Sequence, residues 1–299
     1  MSSSNQAKTG NRPIGRLSII IPARNEEAGL ASLIPELRKR FSDAEIIVIN
    51  DGSTDATANI CRANGLTIID HPYPKGNGAA VKSGARAAHG DILIFMDADG
   101  QHQPEDVVRL LTKLEEGYDM VVGARTRTSQ AGVHRALGNA LYNRLASWMT
   151  GQTIQDLTSG FRAARATKFR QFLYLLPNGF SYPTTITMSF FRAGYSVAYI
   201  PIHAPKRTGK SHIRLLHDGA RFFLIIFRIG ALYSPLKLFL PLSLMCFVLG
   251  AGHYTYTFIT SGRFTNMSAL LFITSILVFL LGLVAEQITM LMYQSHDRQ

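Results

Sequence analysis

Cysteine is almost absent from this chain: its 299 residues include two, Cys61 and Cys246. Two cysteines so far apart in sequence provide neither a disulfide framework nor the paired ligands of a metal cluster. We therefore interpret both as small buried or lipid-facing side chains. The first sixteen residues lack the apolar core of a signal peptide. The sequence thus predicts that residues 1–16 form a disordered tail and that the N-terminal part is not exported.

Charge is also scarce, and acidic charge most of all. Only 17% of residues are charged, with 31 Lys and Arg against 20 Asp and Glu, a net charge of +11. Such an excess suits nucleic acid, an anionic membrane surface or an anionic substrate. Residues 203–237 hold seven of the cations and a single Asp, directly before the most apolar part of the chain. A basic collar beside a membrane span attracts anionic lipid headgroups by roughly 1 kcal/mol per cation. We therefore expect anionic lipids, and no nucleic acid, as partners.

Two long runs lack charge altogether. Leu238–Ser261 and Thr265–Ala285 contain no Asp, Glu, Lys or Arg, and each is long enough to span a hydrocarbon core as a helix. Residues 234–299 are therefore predicted to form a transmembrane hairpin with a short tail. The loop between the runs carries only Arg263, so the positive-inside rule places the preceding domain in the cytoplasm of a multi-pass membrane protein. Near the inner end of the second run lies Glu286, either as a functional group or simply reaching water.

Residues 212–233 have a third kind of pattern. Arg214, Arg221 and Arg228 recur every seven residues among Leu, Phe and Ile. Residues at this spacing share one face of a helix. The segment is predicted to be a basic amphipathic helix that lies in the membrane interface.

Residues 17–211 alternate short β-rich runs with longer helical ones. Runs such as Ile-Ile-Val-Ile and Ile-Leu-Ile-Phe are apolar on both faces, as in strands covered by helices on each side. This pattern predicts an α/β domain with an open, mostly parallel sheet. The predicted strands are Leu17–Pro22, Glu45–Asn50, Leu66–Asp70, Asp91–Asp97, Asp119–Gly123 and Val197–Pro201, and the predicted helices lie near 27–41, 55–64, 77–89 and 104–116.

Acidic loops follow three of these strands. Asp97-Ala98-Asp99-Gly100-Gln101 ends an apolar strand, and oxygen ligands from Asp97, Asp99 and Gln101 suit Mg²⁺ or Mn²⁺ on a diphosphate. The runs Pro22–Glu26 and Asn50–Asp55 end the first two strands, although the second also resembles a turn with a helix N-cap. Because ligands bind at the carboxyl ends of strands in open α/β sheets, we expect the three loops to meet at one site.

These motifs, in this order, resemble family 2 of the inverting glycosyltransferases. The likeness also includes Lys75-Gly76-Asn77-Gly78-Ala79-Ala80 and Asp156-Leu157-Thr158-Ser159-Gly160-Phe161-Arg162, and it covers residues 17 to about 230. Within the family it is greatest to the polyprenyl-phosphate glycosyltransferases, of which dolichyl-phosphate mannose synthase is the best-known type. The resemblance implies a GT-A type nucleotide-sugar-binding domain.

The resemblance also implies roles for individual residues. The nucleotide would be bound by Pro22, Ala23, Asn25, Glu26, Asp51 and Asp97, and by Arg207 and Ser211 in a mobile phosphate-binding segment. Asp99 and Gln101, beside Asp97, would hold the metal. Arg125 and Arg135 would meet the acceptor phosphate, and Asp156 and Arg162 would border the sugar pocket.

The implied reaction is metal-dependent, inverting transfer of a hexosyl unit from GDP-mannose, UDP-glucose or a UDP-N-acetylhexosamine to undecaprenyl or dolichyl phosphate. A phosphate acceptor is already ionised and needs only positioning, whereas a hydroxyl acceptor needs a general base. The first alternative is a glycosyltransferase acting on a lipid or polysaccharide hydroxyl, for which Asp156 is the candidate base. The second is a catalytically inactive membrane scaffold, which would have no need of the Asp97, Asp99 and Gln101 set.

Overall fold

The computed structural model describes residues 15–100, 102–125, 133–179, 181–203, 230–231 and 233–294, and the side chains of 133–139 and 292–294 lie outside that description. The chain divides into two units, Met1–Lys210 and Ser211–Gln299. The predicted interface helix at 212–233 lies almost entirely outside the described residues.

The first unit is built on a seven-stranded sheet. Its strands in chain order are β1 (Leu17–Ala23), β2 (Glu45–Asn50), β3 (Thr67–Asp70), β4 (Ile92–Phe95), β5 (Met120–Arg125), β6 (Arg162–Arg165) and β7 (Val197–Ile202). In space the order is β3-β2-β1-β4-β6-β5-β7. The first four are mutually parallel, β7 is parallel to β5, and β6 runs antiparallel to both its neighbours. The predicted open, mostly parallel sheet is confirmed.

Within the described part of this unit, the helices that accompany the sheet are α1 (Glu27–Arg40), α2 (Thr57–Ala63), α3 (Asn77–Ala87), α4 (Pro104–Glu115), α5 (Val133–Thr150), α6 (Ala166–Arg170) and α7 (Tyr182–Arg192). The central strands are buried on both faces; Ile19, Ile20 and Ile21 are all fully buried. That pattern is why their sequence runs are apolar without alternation.

Strand β6 was not predicted. Its sequence, Arg-Ala-Ala-Arg, contains none of the β-branched or aromatic residues that favour strands. It forms because two apolar strands flank it, and Ala163 pairs with Ile94 of β4 on one side and Val121 of β5 on the other. Small residues suit a strand that is closed in by neighbours, so tertiary packing overrides local propensity here.

The second unit contains α8 (Pro235–Ser261) and α9 (Asn266–Gln294), joined through Gly262 in a left-handed conformation (φ 61°). By length and composition both could cross a membrane, with mean hydropathies of 1.7 and 2.6. In each helix, only 17% of the most apolar 18-residue stretch is buried. A core helix of a soluble protein would be mostly buried, whereas these helices expose their apolar side chains.

Small residues line the seam between α8 and α9. Ser243 donates through Oγ to the carbonyl of Ser275, and Ser275 returns the same bond, both at 2.9 Å. Ser268, Ser275, Gly282 and Thr289 follow one another at seven-residue intervals, the spacing that keeps one face of a helix against a partner. A Cβ on Gly282 would lie 2.7 Å from Cβ of Phe239. The seam is therefore closely packed.

Candidate active site

The chain reverses direction across the sheet at β1. From β1 it passes outward to β2 and β3, then returns through α3 to β4 on the other side of β1. The carboxyl ends of β1 and β4 thus diverge into a crevice, the usual ligand position in open α/β sheets. A cavity of about 430 Å³ lies there, of a size suited to a small ligand. Of the residues assigned from sequence, those that line it are Pro22, Ala23, Glu26, Asp51, Asp97 and Asp99.

Asp51, at the end of β2, is fixed by three donors. Its carboxylate accepts from Nδ1 of His71 and from the backbone NH groups of Lys75 and Gly76, each at 2.8 Å. Burial alone would raise the pKa of Asp51, but these hydrogen bonds outweigh burial and hold it below its usual value. His71 in turn contacts Oγ of Ser83 at 2.9 Å. Asp51 therefore presents an oriented, ionised carboxylate to the cavity.

Side-chain hydrogen bonds join the loops after β1 and β2. Asn25, in a left-handed conformation (φ 55°), donates from its NH to Oγ of Ser53 at 3.0 Å and accepts the NH of Thr54 on Oδ1 at 2.8 Å. The NH of Glu26 donates to Oγ1 of Thr57 at 3.0 Å. Asn25 is not among the residues that line the cavity. Its side chain instead holds the loops after β1 and β2 together.

The Asp97–Asp99 loop is supported from behind by His102. The backbone NH of Asp97 donates to Nδ1 of His102 at 3.0 Å, and the imidazole stacks on Phe161 with ring centroids 4.5 Å apart. Burial lowers the pKa of His102 to about 4, although the carboxylate of Asp99 pulls it upward. His102 is therefore neutral at physiological pH and acts as an acceptor. Sequence reasoning missed it, because the chain's histidines show no ligand spacing.

The same loop is contacted by the first turn of α1. A Cβ built on Gly29 would lie 1.9 Å from the carbonyl oxygen of Ala98. No side chain fits in that space, so glycine is required for the close approach of helix and loop. Helix α1 thus positions the carboxylates on either side of Ala98.

Asp97 and Asp99 are suited to a divalent cation, but they do not form a complete protein site. Among the described residues, no group of three or more His, Cys, Asp or Glu side chains could hold a metal ion. Mg²⁺ and Mn²⁺ in phosphate-transfer and nucleotide sites commonly use one or two carboxylates, with water and substrate phosphates as the other ligands. The Asp97 and Asp99 pair fits that arrangement. Gln101, the third predicted ligand, lies outside the described residues.

Arg125 and Asp156 form an ion pair beside the cavity, in which Asp156 is buried and Arg125 half-buried. Nε of Arg125 donates to Oδ2 of Asp156 at 2.8 Å, and a terminal nitrogen donates to Oδ1 at 3.0 Å and to Oγ1 of Thr158 at 2.5 Å. Asp156 is 4% exposed. Burial raises the pKa of Asp156, but the guanidinium outweighs burial and the pKa is lowered. Of the three residues, Thr158 lines the cavity, so the pair lies just behind its wall.

Arg162 is fully buried behind the same wall. It donates from one terminal nitrogen to the carbonyl of Pro183 and to Oγ1 of Thr187, both at 3.2 Å, and from the other to the carbonyl of Ser159. Its guanidinium lies 5.8 Å from the ring centre of Tyr182, which lines the cavity. Arg162 itself does not line the cavity. Nothing in the sequence singled out Tyr182, which the fold brings in from α7.

Three further assigned residues are not placed in the site. Arg207 and Ser211 lie outside the described residues. Arg135 falls within α5, but its side chain is outside the description. Their proposed contacts with phosphate groups therefore remain predictions.

The first unit is an open α/β sheet with a cavity at its switch point and carboxylates on the loops after three neighbouring strands, and the second contains an apolar helical hairpin. The model of glycosyl transferase family 2 matches residues 18–173, and the chain belongs to this family. The model of the GtrB C-terminal hairpin matches residues 234–291. The chain is a membrane-anchored glycosyltransferase, as the motifs and apolar runs predicted.

Two relatives support the resemblance to the polyprenyl-phosphate glycosyltransferases. A dolichyl-phosphate hexose transferase of Haloferax volcanii is 28% identical over 68% of this chain and 89% of its own length. An undecaprenyl-phosphate 4-deoxy-4-formamido-L-arabinose transferase of Pseudomonas fluorescens is 33% identical over 58% of this chain and 56% of its own. The resemblance to the polyprenyl-phosphate group is confirmed.

A solved structure supports the fold. The glucosyl-3-phosphoglycerate synthase of Mycobacterium tuberculosis, in complex with Mn²⁺, UDP and glucosyl-3-phosphoglycerate, has a TM-score of 0.58. It is 22% identical in sequence and covers 72% of this chain and 79% of its own. At this identity the likeness concerns the fold, and it confirms the predicted GT-A type domain.

Proposed function

We propose that this enzyme transfers a hexosyl unit from a nucleotide-sugar to a polyprenyl phosphate, with inversion and with Mg²⁺ or Mn²⁺ bound at Asp97 and Asp99. The relatives from Haloferax volcanii and Pseudomonas fluorescens are named for dolichyl and undecaprenyl phosphate. The similar synthase from Mycobacterium tuberculosis binds UDP and Mn²⁺. The nucleotide and the hexose stay open among GDP-mannose, UDP-glucose and UDP-N-acetylhexosamine.

The observation that carries the choice of acceptor is the state of Asp156. A hydroxyl acceptor needs a general base whose pKa lies near the working pH. Asp156, the candidate base from sequence, has a lowered pKa, and Arg125 occupies both of its oxygens. An aspartate held in this way is a poor proton acceptor. A phosphate monoester is ionised already and requires no such base.

In the proposed reaction Asp156 positions Arg125 for the acceptor phosphate. A guanidinium aligned by a bidentate carboxylate is restricted in orientation, and Arg suits phosphate oxygens because of its planar fork. Arg135 and the segment with Arg207 and Ser211 would add further cations. The metal would offset the charge that develops on the leaving diphosphate. Asp51 and Glu26 would bind the nucleoside.

The organisation proposed for the chain follows the division read from sequence. Residues 17–211 form the catalytic domain, 212–233 the interface helix and 234–299 the hairpin with its tail, after a 1–16 tail. The basic collar and the single Arg263 between α8 and α9 support a catalytic domain on the cytoplasmic side of the membrane, which in a bacterium would be the inner (plasma) membrane.

Transfer to paired acceptors tests the proposal. The full chain in lipid vesicles would receive a panel of radiolabelled GDP- and UDP-sugars with either undecaprenyl phosphate or undecaprenol. We expect label in the lipid phase with the phosphate only. Asp99→Ala should abolish transfer, whereas Asp43→Ala, an exposed position before β2 at the opposite edge of the sheet, should not. Transfer to undecaprenol but not to its phosphate would favour the hydroxyl-acceptor alternative and reject the proposal.

A further inference from the structure

A chain of polar side chains lies behind Asp51. Its carboxylate is paired with Nδ1 of His71 at 2.8 Å, and the other ring nitrogen, Nε2, contacts Oγ of Ser83 at 2.9 Å. Both Asp51 and His71 are buried. Because an ionised carboxylate can only accept, Nδ1 carries a hydrogen whatever the charge of the ring, and the Ser83 hydroxyl can pair with Nε2 in either state. The imidazole is thus held on both sides and directs one N–H at Asp51.

The loop between β3 and α3 closes over the same carboxylate. The backbone NH groups of Lys75 and Gly76 donate to Oδ1 and Oδ2 of Asp51, each at 2.8 Å. A Cβ built on Gly52 (φ 69°) would lie 2.8 Å from the nitrogen of Pro74 in this loop, so a side chain has no room there. The end of β2 and the loop are therefore in direct contact, and Asp51 is fixed in orientation where it lines the cavity.

The described donors fill three acceptor positions of Asp51 and leave one for a ligand. A carboxylate has about four lone-pair positions, two on each oxygen. Oδ1 accepts from His71 and from the NH of Lys75, whereas Oδ2 accepts from the NH of Gly76. The fourth position, on Oδ2, can therefore receive a single N–H from a ligand in the cavity.

The bases of the candidate donors differ in what they present to a carboxylate. Uracil has one ring N–H, flanked by two carbonyl groups. Guanine has a ring N–H and an amino N–H side by side, a pair that suits a carboxylate with a free position on each oxygen. At Asp51 guanine would leave one of these donors unpaired, and an unpaired donor in a buried site lowers affinity about tenfold or more.

We propose that His71, held by Ser83, is a positioning residue for nucleoside recognition, and that the carboxylate it orients accepts one ring N–H and so selects a uridine over a guanosine diphosphate donor. His71 does not line the cavity, so it acts through Asp51. It fixes the plane of the carboxylate and occupies one position of Oδ1. The inference rests on the proposed function, because it takes the cavity as the nucleotide-sugar site.

Calorimetry of the full chain in detergent, with UDP or GDP and Mn²⁺, tests the proposal. Wild type should bind UDP about tenfold more tightly than GDP, or better. His71→Leu removes the N–H and frees a position on Oδ1, so the affinity for UDP should fall about tenfold and that for GDP less. His71→Asn keeps an N–H donor and should stay within about threefold of wild type.

The matched control lies at the opposite end of β2. There Nδ1 of His89 contacts Oε1 of Glu45 at 2.8 Å, the same kind of pair as His71 with Asp51. His89→Leu should leave the affinities for UDP and GDP unchanged. Ser83→Ala should weaken UDP binding about threefold, and it decides the matter where His71→Leu does not fold: an unchanged affinity would then reject the role of the ring.

Three results would overturn the proposal: GDP bound as tightly as UDP, equal losses in His71→Leu and His71→Asn, or a parallel fall for both nucleotides in His71→Leu, which indicates a structural role alone. The measurement needs no acceptor lipid. Wild type that binds UDP as expected but transfers no sugar to polyprenyl phosphate would reject the proposed function and leave this inference standing. Wild type that binds neither nucleotide would reject both.

Discussion

Replacing Asp156 with asparagine removes the carboxylate that orients Arg125 while keeping the size of the side chain. Asp156 accepts five hydrogen bonds, from Nε, a terminal nitrogen and the backbone NH of Arg125, and from the NH and Oγ1 of Thr158. Asparagine keeps one acceptor oxygen and turns an amide NH₂ toward donors that it cannot satisfy. The variant thus leaves the guanidinium without its counter-charge.

The cost follows from the burial of the two partners. Removing one partner of a buried pair typically costs 3–5 kcal/mol, but the side chain of Arg125 is 32% exposed and part of its charge can be solvated. We therefore expect about 2–3 kcal/mol for Asp156→Asn. For a domain of this size that corresponds to a decrease in Tm of about 5–10 °C. The fluorescence of Trp148, on the helix between Arg125 and Asp156, reports thermal unfolding without an added label.

A pH series separates the charge effect from a packing effect. Because the folded-state pKa of Asp156 is lowered, its contribution is present above the unfolded-state pKa and is lost as pH falls from about 4 downward. Wild type should lose stability in that range more steeply than Asp156→Asn. Glu116→Gln, which removes one partner of the exposed pair with Lys113, should leave Tm nearly unchanged. Equal Tm values and equal acid profiles for wild type and Asp156→Asn would refute this reasoning.

Removing the divalent cation with EDTA, or Asp99→Ala, should abolish nucleotide-sugar binding by calorimetry and not only turnover; retained binding would reject the metal assignment. Gly29→Ala should lower kcat at least tenfold by displacing the Ala98 carbonyl. The same change at the exposed Gly117, where an added Cβ meets no atom within 4 Å, should affect stability alone. His102→Asn, which keeps an acceptor for the NH of Asp97, should retain more activity than His102→Leu, and equal losses would show that the hydrogen bond is unimportant. Gly282→Leu should separate α8 from α9 and lower the stability of the hairpin, measured in detergent, by several kcal/mol. Ile273→Leu, on the exposed surface, should leave that stability unchanged.

The parts of the fold that could be predicted are those in which local sequence and final environment agree. The parallel strands are buried on both faces, so apolar runs such as Ile46–Ile49 identified them directly. The acidic loops could be placed at one site because parallel strands end at the same edge. Strand β6 could not be found, because Arg162 and its neighbours take a strand conformation only between β4 and β5.

The sequence motifs singled out the candidate site residues that they contain. They missed the residues that only the fold brings to the site. Asp51, Asp97 and Asp99, which the motifs contain, line the cavity. Tyr182 reaches it from α7, with no local signal in the sequence. His102 acts through a backbone NH, which a search for ligand spacing does not detect. Asp156 is paired with Arg125 behind the wall, and its assignment to the border of the sugar pocket stays a prediction.

The charge of the cavity wall gives a reason for a bound cation that does not depend on a complete protein metal site. Among the described residues that line the cavity, four are carboxylates (Glu26, Asp51, Asp97 and Asp99) and one is a cation, Arg24. Under the proposed function, a nucleotide diphosphate would bring further negative charge into the same space, so its binding would be unfavourable unless a cation accompanied it. Arg125 and Arg162, behind the wall, offset part of this charge because both attract Asp97, but Arg125 is already paired with Asp156. A divalent ion shared between Asp99, Asp97 and the diphosphate would reverse the sign of the interaction. Under the proposed function, the carboxylates would make donor binding conditional on the metal, and Arg125 would be left for the second anion, the acceptor.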